Sequence, residues 1–124
     1  MNKESPVNEA HVAARQAAEA LAEKKGIDIT LLDVGDLIQI TEVFVIATGT
    51  SNTHVRTLAD FVDERLELEG RRVLRDEGRK EGEWVLLDYG DFFVHIFQAE
   101  PRQFYGLERL WGDADRLDWE PATA

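Results

Sequence analysis

The period of the apolar positions changes along this chain, and each change marks an element. From Asn8 to Lys25, Ala10, Ala14, Ala17 and Leu21 recur at helical spacing. Asn8 stands where an N-cap belongs and Gly26 where a helix stops. Small side chains on that face permit close approach, to a sheet or to a second copy of the chain. Ile29 to Val34 then reads as a strand, closed by Gly35-Asp36. Val43 to Ala47 is apolar at every position, the pattern of a central strand buried on both faces. The helical period returns after Gly49-Thr50-Ser51-Asn52. Val55, Leu58, Ala59, Val62 and Leu66 make one stripe that ends near Glu69 and Gly70.

Arg72 to Arg75 is expected as a short strand, followed by a polar loop from Asp76 to Gly82. Trp84 to Asp88 and Phe92 to Phe97 alternate as the arms of a hairpin, turning through Tyr89-Gly90. Pro101 suits the first turn of a closing helix, on which Leu107, Leu110 and Trp111 share one face. Arg102, Tyr105 and Arg109 lie along the neighbouring face. The expected fold is a single α/β domain over residues 8 to 111, with a mixed sheet of about five strands flanked by helices. Residues 1 to 7 and 112 to 124 are expected to be flexible tails.

Composition narrows the classes. A chain of 124 residues builds a core without staples. The absence of cysteine excludes disulfides and thiolate metal sites and fits a cytoplasmic protein. No apolar run approaches the roughly 20 residues of a membrane span. The 14 basic against 25 acidic residues, a formal charge of -11, argue against broad phosphate binding and for attraction to basic partners.

Candidate chemistry is sparse. Gly49-Thr50-Ser51 at a strand-to-helix junction could cradle a phosphate, but it lacks P-loop spacing and the following Gly-Lys-Ser/Thr. Helix capping is its main expected role. Nucleotidyltransferases carry a similar element with paired carboxylates at alternate strand positions. Here Asp60 and Asp63 lie on a helix instead, while Asp88 and Asp91 flank a turn. His11, His54 and His95 have no metal-ligand spacing, so no metal or cofactor is expected. His95 lies mid-strand with Phe93 and Phe97 on its face, and a hydrogen-bonded structural role is expected of it. Tryptophan, tyrosine and arginine anchor binding surfaces more often than they define reactions. Their concentration between Trp84 and Trp111 therefore points to recognition.

The chain resembles the ribosomal silencing factors, or Iojap-like family, over nearly all of its length between the tails. The markers are Ile40 to Ser51 (ITEVFVIATGTS), His54-Val55, Ala59-Asp60, Glu77-Gly78, Trp84 to Phe97 (WVLLDYGDFFVHIF), Arg102, Tyr105, Leu107-Glu108 and Leu110-Trp111. The resemblance implies a nucleotidyltransferase-like fold without the catalytic carboxylates, and no enzymatic activity. It implies a repressor that docks on a ribosomal protein at the subunit-joining face of the large ribosomal subunit. There it blocks the small subunit and lowers translation under nutrient limitation. Homodimers are implied as well. Carried onto the matching positions, the docking surface falls at Trp84, Asp88, His95, Phe97, Arg102, Tyr105 and Trp111. Two positions depart from the family pattern: Glu42 stands where aspartate is usual, and Thr53 where a basic residue is common. A factor for maturation of the large subunit would use much the same surface, and a nucleotide-binding enzyme is the remote alternative.

Overall fold

The computed structural model describes residues 8 to 119, which form one layered α/β unit. Helix α1 spans Glu9–Glu23 and α2 spans Asn52–Leu68. Both are capped as their sequences require: the Asn8 side chain accepts from the His11 N–H, and Ser51 from the His54 N–H. The strands are β1 (Ile27–Asp33), β2 (Val43–Gly49), β3 (Arg75–Glu77), β4 (Trp84–Asp88), β5 (Phe92–Gln98) and β6 (Asp115–Leu117). Two short helices, α3 (Ala99–Tyr105) and α4 (Leu107–Leu110), follow β5.

The six strands lie in the order β3-β4-β5-β2-β1-β6. Only β2 and β5 pair in parallel among these neighbours; the other pairs are antiparallel. β2 is central and buried along its whole length, as its unbroken apolar run predicts.

Alternation divides the strand residues between two cores. Val43, Val45, Ala47, Val85, Leu87, Phe92, Val94 and Ile96 face α1 and α2, where they meet the alanine stripe and Val55, Leu58, Val62 and Leu66. Phe44, Ile46 and Phe97 face the other side, joined by Leu32 and Val34 and covered in part by Trp84, Phe93, Leu107 and Trp111. The first side is closed by long helices. The second is covered only by short elements, so its aromatic side chains remain near the surface.

The sheet has six strands, close to the expected number. Three expectations change. The short strand falls at Arg75–Glu77, because pairing with Leu86, Leu87 and Asp88 selects its register. The closing helix is broken at Gly106, which adopts a left-handed conformation (φ 58°, ψ 47°). Residues 112 to 119 are no loose tail: Asp115–Leu117 pairs with β1, and Trp119 packs against the first core while its indole N–H donates to the Ile29 carbonyl (3.2 Å). The expected tails at 1 to 7 and 120 to 124 lie outside the described residues.

Candidate functional site: an aromatic face backed by a polar clasp

On the second side of the sheet, the register sets Trp84 beside Phe97, Leu86 beside His95, and Phe44 beside Phe93. The rings form a continuous layer. Trp84 stacks on Phe97 with centroids 4.8 Å apart, and Tyr105 covers Trp84 at 4.6 Å. Phe44 meets His95 edge-on at 4.8 Å and Trp111 at 6.2 Å. Phe104 stands across Tyr105, 5.1 Å away and nearly perpendicular.

His95 is 5% exposed and accepts a hydrogen bond from the Trp84 indole at Nδ1 (3.1 Å). Its other nitrogen, Nε2, has no partner among the described residues. Loss of water pulls its pKa from 6.5 down to about 4, so the ring is neutral at pH 7. The expected hydrogen-bonded structural histidine is what the fold contains.

Arg102 lies behind the layer, its side chain 10% exposed. Nε and Nη2 donate to the two carboxylate oxygens of Glu108 (3.0 Å each). Nη1 donates to Thr48 Oγ1 (2.8 Å), and Nη2 also reaches Thr30 Oγ1 (3.3 Å). Those hydrogen bonds hold the Glu108 carboxyl below its ordinary range. One guanidinium thereby ties α3 to α4 and both to the sheet.

The seven anticipated docking residues thus separate into three groups. Tyr105 is exposed, and Trp84 and Trp111 are half-buried with edges at the surface. Phe97 and His95 are buried and support the layer from beneath. Arg102 is committed to internal bonds, and Asp88 caps its turn by accepting from the Gly90 N–H (2.8 Å). Phe104, 78% exposed, and Leu110, 67% exposed, belong to the surface as well. For Phe104 the sequence offered only its place beside Tyr105 in the aromatic and arginine cluster. Leu110 was expected on one face with Leu107 and Trp111, but after the break at Gly106 it is turned outward.

The phosphate reading of Gly49-Thr50-Ser51 loses the Thr50 N–H as a donor. The Thr50 N–H donates to His54 Nδ1 (2.9 Å), whose Nε2 donates to the Lys24 carbonyl (2.9 Å). The nearby cleft at the ends of β2 and β5, about 490 Å³, is lined by Glu83 and Glu100, which repel phosphate. Asp60 and Asp63 are both held by Arg79. Among the described residues no acidic or histidine cluster has the form of a metal site, and no helix is long and apolar enough to cross a membrane.

Fold and face together define an α/β domain with one sheet side closed by helices and the other surfaced with aromatic rings. The sequence model of the family described as "Ribosomal silencing factor during starvation" matches residues 7 to 124, and the chain belongs to this family. It is 40% identical over 99 residues to the ribosomal silencing factor RsfS of Chromobacterium violaceum, covering 80% of this chain and 81% of that one. A crystal structure of a protein from the same organism superposes with a TM-score of 0.82 at 37% identity, covering 94% of this chain and 93% of the other. A more distant relative in Mus musculus is named "Mitochondrial assembly of ribosomal large subunit protein 1". It is 28% identical over 94 residues, which are 73% of this chain and 41% of that protein.

Proposed function

We propose that this protein is a non-enzymatic translational repressor that docks on the large ribosomal subunit and obstructs joining of the small one. The observation that carries this reading is the aromatic layer from Trp111 through His95 and Trp84 to Tyr105 and Phe104. It lies on the side of the sheet that no long helix covers. Aromatic rings anchored from behind and bordered by charge are the usual makings of a binding hot spot. Membership in a silencing-factor family supports a ribosomal target, and the charge of -11 favours a basic one, such as a ribosomal protein of the subunit-joining face. Obstruction needs an interface of ordinary size, about 1,200 to 2,000 Å² in total, and no reacting groups. A homodimer using the same aromatic face would compete with docking.

The test is sedimentation of purified protein with isolated large subunits, before and after small subunits are added. Co-sedimentation and a smaller yield of joined ribosomes are expected. Undiminished joining at saturating protein would overturn the reading. Tyr105→Ala and Trp111→Ala are expected to weaken binding by about 2 kcal/mol, roughly thirtyfold, with the fold retained.

The name of the mouse relative favours a second reading, a maturation factor that uses the same face. Preference for immature over mature large subunits in the same experiment would select it.

A further inference from the structure

The outer end of the aromatic layer has a chemistry of its own. Between α3 and the start of β4 lies a shallow cleft of about 460 Å³, lined by Glu83, Glu100, Pro101, Phe104 and Tyr105. The two rings stand 87° apart, and they are 78% and 51% exposed. Tyr105 is fixed from behind by Trp84, so its ring is presented at little further entropic cost. Among the described residues, neither Glu83 nor Glu100 forms an ion pair, whereas Asp60, Asp63, Asp76, Asp91 and Glu108 all do. Two uncompensated carboxylates therefore flank two exposed aromatic rings.

We propose that this cleft recognises an arginine side chain presented by a basic protein partner. A guanidinium stacks on aromatic faces, is weakly hydrated, and donates in a planar fork to carboxylates. All three properties are matched here by rings and acids around one opening. A phosphate, a nucleic acid or an acidic peptide would be repelled by Glu83 and Glu100. A lysine would gain the charge attraction but lose the stacked, forked geometry. The cleft adjoins the docking face through Tyr105. The identity of the partner rests on the docking reading; the preference for arginine does not.

The experiment separates the two. Isotope-labelled protein is titrated with Nα-acetyl-arginine amide, Nα-acetyl-lysine amide and the uncharged Nα-acetyl-citrulline amide, and chemical shifts are followed. Arginine is expected to move the ring signals of Phe104 and Tyr105 and the carboxyl signals of Glu83 and Glu100. Lysine should move them less, citrulline should leave them unmoved, and the arginine response should vanish in Glu83→Gln/Glu100→Gln. Equal responses to arginine and citrulline, or a response unchanged in the double variant, would overturn the proposal even if the protein still sediments with large subunits. An arginine response from a protein that fails to bind subunits would overturn the docking reading alone. Where subunits are bound, the double variant and Phe104→Leu should each bind about tenfold more weakly, with a shallower salt dependence for the double variant. Self-association that the double variant abolishes would assign the cleft to a second copy and overturn the proposal.

Discussion

His95 shows how one residue can be polar in the sequence and part of a core in the structure. It lies among the rings of Phe44, Trp84, Phe93 and Phe97, and a single hydrogen bond from Trp84 sets its tautomer. Its folded pKa of about 4 lies below the ordinary 6.5, so the unfolded chain binds the proton more readily. Stability from this group is fully present above pH 6.5 and is lost as the pH falls toward 4. The total is about 3 kcal/mol for a shift of this size. We expect the urea midpoint to fall between pH 7 and pH 5, and the fall to shrink in His95→Gln. An equal fall in both proteins would remove His95 as its source. Strand alternation alone puts His95 on the same face as Phe93 and Phe97. Its depth was not legible, because that depends on Trp84 and Phe44 arriving from other strands.

At the scale of the element, the α3-α4 corner decides how the aromatic face is presented. Pro101 and the spacing of Leu107 and Trp111 made a closing helix legible. The break did not follow from them, since one glycine inside a helical pattern is often tolerated. Gly106 takes the left-handed turn, and Arg102 fastens both sides of it through Glu108, Thr30 and Thr48. At φ 58° any side chain at Gly106 would be strained, which is what reserves the position for glycine. Arg102→Ala is expected to destabilise the protein by about 2 kcal/mol, because it leaves a half-buried carboxylate and two hydroxyls without a donor. In a double-mutant cycle with Glu108→Ala, most of that loss should appear as coupling; additive losses would mean that the pair acts separately. Subunit binding by Arg102→Ala should weaken as well, since Tyr105 and Trp111 depend on the corner for their placement.

At the scale of the whole molecule, the C-terminal segment completes the sheet. β6 covers the edge of β1, Leu117 and Trp119 add to the first core, and Arg15 Nε on α1 donates to the Asp118 carbonyl (2.8 Å). An acidic, turn-rich stretch carries no periodic signal, so pairing with β1 could not be read from GDADRLDW. Trp119→Ala is expected to cost about 2 kcal/mol, below the range for fully buried tryptophan because this side chain is only partly buried. An unchanged melting temperature would return the segment to the status of a tail.

What the sequence determined by itself was periodicity: the two long helices with their caps, the doubly buried central strand, the hairpin, and the assignment of residues to sheet faces. These follow from neighbouring residues and from covalent geometry, which every stretch of chain carries within itself. The family resemblance was legible for the same reason, as an order of short motifs. The tertiary structure alone decided which aromatic residues stay outside, because that depends on what covers each face. Phe97 and His95 sank beneath Trp84 and Tyr105, while Phe104 and Leu110 were left exposed by a turn held from the sheet by Arg102. Contacts between residues as far apart as Thr30 and Arg102 have no local signature, so the surface they create became visible only in the folded chain.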